Sequence, residues 1–130
     1  MHGPPASDVI RRFYAAREAQ DAEQLRPFLA DDVVWREPTV GSHMGELRGA
    51  DAVIDMIARA LETTAGTFSL GIAEVLEVQG HCTVLIEWSA QKRSELVRGR
   101  ELAVFSVVDG RIVFAQFLPE NIANDNVFWS

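Results

Sequence analysis

From Thr67 to Leu118 the apolar residues recur with a period of two, punctuated by turn signals at Gly80-His81 and Asp109-Gly110. That period predicts strands, because successive side chains of an extended chain point to opposite faces. Phe68, Leu70, Ile72, Leu76 and Val78 share one face of the first strand, and only Glu74 breaks it. A second strand runs from Cys82 to Lys92 with Val84, Ile86 and Trp88 on one face. A third runs from Leu96 to Val108. Asp109-Gly110, where both residues tolerate positive φ, turns it into a fourth, Arg111 to Leu118. Strands joined by such short turns pair antiparallel, so this half of the chain is a four-strand meander. A single sheet cannot stand alone, so the preceding residues must cover one face.

Those residues read as helices. The first six form a loose tail, Ser7 caps a helix, and Asp8 suits its dipole. Val9, Ile10, Phe13 and Ala16 give it one apolar stripe through Gln20. Asp21 caps a short second helix carrying Leu25, Phe28 and Leu29, which Pro27 keeps brief. Asp32 to Pro38 (DVVWREP) reads as a short strand and residues 39–49 as a glycine-rich loop. Val53, Ile54, Ile57 and Leu61 mark a third helix that Gly66 stops. Segregated helices and strands predict one α+β domain. Its expected form is a cone-shaped, curved antiparallel sheet, the meander plus a short strand, covered on one face by three helices.

Composition narrows the function. An apolar fraction of 48% and a charged fraction of 24% exclude wholesale disorder. No apolar run reaches the roughly 18 residues of a membrane span. A net charge of −7 sets the surface against nucleic acid. The cluster Lys92, Arg93, Arg98 and Arg100 lacks interleaved aromatics and reads as a solvated turn. Cys82 is the only cysteine and reads as a small core hydrophobe. His2, His43 and His81 show no ligand spacing, so neither a metal nor another cofactor is expected. MHGPPASD has no basic segment followed by an apolar one, and a cytoplasmic protein is expected.

The helix VIRRFYAAREAQD, the block FLADDVVWREP, the segment RGADAVIDMIARA, the hairpin FSVVDGRIVFAQF and the terminal DNVFW occur here in a characteristic order. Together they resemble the nuclear transport factor 2-like superfamily, and within it the SnoaL-like and ketosteroid isomerase-like proteins. The resemblance implies a cone of sheet and helices around an apolar pocket, commonly as a dimer. It does not imply one reaction, since relatives include isomerases, polyketide cyclases, dehydratases, epoxide hydrolases and non-catalytic members. Against ketosteroid isomerase, the carboxylate before a proline is kept as Glu37-Pro38. The tyrosine donor of the first helix falls at Phe13, with Tyr14 about 100° further round. The acid of the third meander strand falls at Ala103, so two of three positions are replaced. No Asp-Arg-Asp set of the epoxide hydrolase kind can be placed.

Glu37, at a strand end facing an apolar interior, is the first candidate for a general base. The alternative is a surface glutamate paired with Arg36 or Arg48. Glu101 shares a strand face with Gly99, Ala103 and Phe105 and could complete an acid–base pair, or else balance Arg98 or Arg100 at the rim. His43, in the loop after Glu37, could shuttle a proton or simply be solvated. A two-residue hairpin turn sets Phe105 opposite Phe114 and Ala103 opposite Gln116, placing Gln116 on the pocket floor. A bulge would turn it outward. Phe13, Tyr14, Trp35, Met44, Met56, Phe68, Trp88, Phe105 and Phe114 are expected to line the pocket or to pack as plain core. Trp129, with Phe128, is an aromatic anchor expected to close the pocket or a dimer seam.

The expected ligand is a small, largely apolar metabolite with a carbonyl or hydroxyl group, handled by proton transfer. A non-catalytic binding or dimerisation module is the other class. Apolar residues on both faces of the hairpin predict a homodimer through the sheet.

Overall fold

A meander of this kind must bury one side of every strand, and three helical segments supply the cover. The computed structural model describes residues 4–37, 45–64, 67–92 and 95–120, with Lys92 in its backbone only. Helix α1 spans Ala6–Arg17 and a 3-10 helix spans Ala22–Phe28. Strand β1 (Leu29–Arg36), strand β2 (Glu46–Arg48) and helix α2 (Ala50–Thr63) follow. The meander is β3 (Ser69–Val78), β4 (His81–Lys92), β5 (Glu95–Val108) and β6 (Arg111–Pro119). Among the described residues, no helix is long and apolar enough to cross a membrane.

The six strands form one curved, unclosed sheet in the order β2-β1-β6-β5-β4-β3. The α+β class holds, with one change to the sheet. β1 joins the far end of the meander parallel to β6, which makes the sheet mixed. Parallel partners need a long connection, and α2 with the meander itself provides it. The stretch read as loop up to residue 49 contains β2, which pairs antiparallel with β1 through Trp35 and Leu47.

Two bulges set which residues face the helices. In β3 the register shifts between Ile72 and Glu74. Ile72 and Val75 then pair with Ile86 and Val84 on the inner side, while Leu76 and Val78 turn out and are exposed. Glu74 marks the phase change rather than a defect in one face. In the last hairpin the two-residue turn is as expected, with Val108 opposite Arg111. The register then shifts between Ser106 and Val107, leaving Val113 as the extra residue. Ala103 therefore meets Phe117, Phe105 meets Ala115, and Phe114 and Gln116 lie opposite Ser106 and Val104.

The core lies between the inner sheet face and the helices. Val9, Ile10, Phe13 and Tyr14 of α1 and Val53, Ile54 and Ile57 of α2 are buried against Cys82, Val84, Ile86, Ala103, Phe105, Ala115 and Phe117. Asp21 caps the 3-10 helix by accepting from the Glu23 N–H at 3.1 Å. Ser7 is not the cap of α1. Pro5 takes that position, and the Ser7 N–H is satisfied from β3 by the Glu77 carboxylate at 2.6 Å. A carboxylate at a helix N-terminus also complements its dipole.

Trp88 lies across β4 onto Gly99, its partner in β5. A Cβ at Gly99 would fall 2.5 Å from two atoms of the indole, closer than van der Waals contact allows. Gly99→Ala should therefore displace the Trp88 ring and destabilise the fold by about 1–3 kcal/mol, as overpacking does. Gly71→Ala, where nothing lies within 4 Å, should cost far less. Denaturant titration and tryptophan emission measure both; equal effects would contradict the packing role of Gly99.

Candidate functional site

Glu37 immediately follows β1 and continues its inward phase, two residues beyond Trp35. Its backbone N–H donates to the Gly45 carbonyl at 2.8 Å, which ties the strand end to the start of β2. The Trp35 Nε1–H donates to Glu37 Oε1 at 2.9 Å. The indole is itself held by rings, with centroids 4.9 Å from Phe117, 5.9 Å from Phe13 and 6.3 Å from Phe105. A half-buried carboxyl is thus fixed by a donor that cannot move. Burial raises its pKa, while the Trp35 hydrogen bond and the Arg17 charge pull the other way. Arg36 and Arg48 do not pair with it: both point their Nε–H at Glu46, at 3.0 Å each.

Glu101 lies on the inner side of β5, opposite Ile86 and in phase with the buried Ala103 and Phe105. Arg100 faces the other way and pairs with Glu120. Tyr14 is buried, its ring in edge contact with Phe13 at 5.2 Å and Phe105 at 6.1 Å. Burial, then the negative charge of Glu101, pushes the phenol well above its ordinary pKa, with Glu37 adding to the effect. Tyr14 therefore stays protonated at neutral pH, keeping its O–H as a potential donor.

Arg17 completes the set. Its guanidinium lies over the Phe68 ring, 5.4 Å from the centroid. Phe68 in turn stacks on Trp88 at 5.9 Å with an interplanar angle of 10°. Burial lowers the Arg17 pKa, and Tyr14, Glu37 and Glu101 oppose that shift. The charges of Glu37 and Glu101 and the Tyr14 phenol thus bear on Arg17, which alone of the four lines the neighbouring cavity. A cavity of about 190 Å³ opens beside Arg17, lined also by Gln20, Leu61, Thr67, Phe68 and Ser69. Two carboxyls, one neutral phenol and one cation can remove a proton, hold it, and stabilise negative charge on oxygen.

The sequence reading placed Glu37, Glu101 and Tyr14 in the interior; Tyr14 is buried in the core, Glu37 is half-buried at the end of β1 and Glu101 lies on the inner side of β5. Phe13, Trp35 and Phe105 are fully packed core, and Met56 packs against that core from α2. Of the expected pocket aromatics, Phe68 lines the cavity beside Arg17, with Trp88 behind it. Two assignments are corrected. The hairpin bulge turns Phe114 and Gln116 to the outer face, where the Arg36 guanidinium covers the Phe114 ring at 5.4 Å. Gln116 is thereby removed from the pocket floor. His43, Met44, Phe128 and Trp129 lie outside the described residues. Cys82 is buried core, its thiol pKa pushed up by that burial. Arg17 was missed, although Ile10, Phe13, Tyr14 and Arg17 follow the helical i, i+3, i+4, i+7 spacing. A cation continuing an apolar stripe was the available signal.

Comparison with known proteins agrees with this architecture. The family described as SnoaL-like domain matches residues 10–115. The uncharacterised protein Rv0034 of Mycobacterium tuberculosis is 26% identical over 125 residues, 95% of each chain. The structure of Bal32a, from a soil-derived mobile gene cassette, superposes with a TM-score of 0.90 at 21% identity, covering 96% of both chains. TerC, co-crystallised with polyporic acid, superposes with a TM-score of 0.81 at 18% identity, covering 98% of this chain and 100% of its own.

The raised pKa of Glu37 has a consequence for stability. A carboxyl that holds its proton more tightly in the fold makes stability fall as pH rises from the ordinary glutamate value through the raised one. Glu37→Gln removes this dependence while leaving Trp35 an oxygen to bond. The variant should melt at a higher temperature than wild type at neutral pH, and the gap should close toward about pH 4. Thermal melts across that range test it; a gap independent of pH would contradict the burial argument.

Proposed function

Because the chain belongs to the SnoaL-like domain family, we propose that it is a small-molecule pocket protein catalysing proton transfer on a largely apolar metabolite with a carbonyl or hydroxyl group. The observation that carries this reading is the half-buried Glu37 carboxyl, held by Trp35 and raised in pKa by burial. A carboxylate made more basic by burial is better suited to take a proton than one in water. Glu37 takes a proton from the carbon beside a carbonyl, and the electron pair moves onto the carbonyl oxygen. Tyr14, protonated and preorganised by its aromatic neighbours, donates to that oxygen. In this reading Glu101 holds or returns a proton. Isomerisation, cyclisation and dehydration share this first step. That TerC, of the same fold, was co-crystallised with polyporic acid supports a small-molecule ligand.

A second reading, addition of water to an epoxide, is favoured by one observation. Arg17 feels the negative charge of both Glu37 and Glu101. Diol formation from styrene oxide that needs both glutamates, without proton abstraction from a carbon acid, would move the assignment there.

The carbon acid 5-nitrobenzisoxazole tests the base directly: removal of its ring C–H proton breaks the N–O bond and releases a cyanophenolate. Wild type should accelerate this opening over free carboxylate, and Glu37→Gln should lose about 100-fold or more. Equal rates in the two proteins would end the assignment of Glu37 as base.

The same reading includes a homodimer through the outer sheet face. Leu76, Val78, Leu102 and Leu118 are exposed there. Exposed apolar side chains of this size are what a partner surface covers, and a two-fold contact would bury them. Light scattering should give twice the 14.4 kDa chain mass, and Leu102→Lys should shift it to the monomer. A monomeric wild type at micromolar concentration would contradict the dimer.

A further inference from the structure

Arg17 differs from the arginines around it. Arg12, Arg26, Arg36, Arg48 and Arg100 each sit on a carboxylate at the exposed surface. Arg17 is half-buried and, among the described residues, makes neither an ion pair nor a side-chain hydrogen bond. Its guanidinium rests on the face of Phe68 alone. Withdrawing a guanidinium from water without giving it an acceptor is costly. A planar cation with free N–H groups at the wall of a cavity matches an oxyanion in charge and shape. The stacked Phe68–Trp88 pair stiffens the wall behind it.

We propose that Arg17 is the anchor for an anionic oxygen group of the ligand, a carboxylate or an acidic enol or phenol, seated in the cavity between the end of α1 and the start of β3. The substrate class is then a small organic acid, which deepens the proton-transfer reading and rests on it. The cavity of about 190 Å³ has room for a ring-sized group, since a water's share of the liquid is about 30 Å³. Gln20, Thr67 and Ser69 supply polar atoms beside the guanidinium. Negative charge nearby comes from Glu37, Glu101 and Glu18. The Trp35 Nε1–H on Glu37 Oε1 offsets part of the repulsion between that carboxylate and an incoming anion. Glu18 lines the cavity but is exposed, so solvent and salt screen it.

A charge-matched pair of probes tests the anchor: benzoate and benzamide, titrated by calorimetry, with amide shifts followed at Phe68, Ser69 and Leu70. Wild type should bind benzoate about tenfold or more tighter than benzamide, as expected for a charge-assisted contact. Arg17→Gln should remove the preference, and Arg17→Lys should keep part of it. Equal binding of the two probes to wild type, no binding of either at about 10 mM, or a preference that survives Arg17→Gln would each overturn the anchor. The comparison in wild type stands even where a variant fails to fold. Equal probe binding alongside Glu37-dependent opening of nitrobenzisoxazole removes the anchor and keeps the base. A benzoate preference without such turnover removes the base and keeps the anchor.

Discussion

The extra residue in β6, Val113, fixes the phase of the strand against which β1 is laid. Everything at the site depends on that phase. With the bulge, Ala115 and Phe117 face inward, and Phe117 comes within ring contact of Trp35 at 4.9 Å. Trp35 is thereby held at the angle from which its Nε1–H reaches Glu37. Without the bulge, the more polar Gln116 would stand on the inner side, and the aromatic wall behind Trp35 would lose Phe117. A local irregularity in one hairpin thus positions a carboxyl that lies on a different strand.

The interior is a compromise between packing and chemistry. Rings of Phe13, Tyr14, Trp35, Phe105 and Phe117 fill its depth in edge and tilted contacts. They remove water, and the removal perturbs the ionisable groups placed among them. Burial leads the causes at Glu37, Tyr14 and Arg17 alike. It favours the neutral carboxyl and the neutral phenol, and it disfavours the guanidinium, which nonetheless stays charged because its pKa starts so high. Two groups that can exchange protons and one cation that cannot are what one hydrophobic surround makes of these residue types.

Legibility in the sequence followed the range of the interaction. Glu101 was readable because β5 keeps a strict alternation of its own, so its phase could be counted from Ala103 and Phe105. Glu37 was readable from its place at a strand end, directly before Pro38. Gln116 and Phe114 were misplaced because a bulge is a property of two strands together, and the turn that begins the hairpin was correct. Strand β2 has three residues, too few to show a period. The β1–β6 pairing is parallel and distant in sequence, so no local pattern announces it. Glu74 and Arg17 are the instructive cases. Each was a charged residue in an otherwise apolar series, and each marked a structural event, a bulge in one and a site cation in the other.

The two faces of the sheet explain why such a small chain can hold an interior of this kind. Charge placed inside a single-layer fold weakens it, and the loss must be offset by apolar burial elsewhere. The inner face is already filled with rings to the level of Glu37. The remaining reserve is the outer face, where Leu76, Val78, Leu102 and Leu118 stay exposed in one chain. Burying them between two copies would add hydrophobic stabilisation at roughly 25 cal/mol per Å² without touching the site. On this account the dimer and the chemistry are linked through stability. A dimer formed there would support a fold whose inner face carries the ionisable groups Glu37 and Arg17 among its rings.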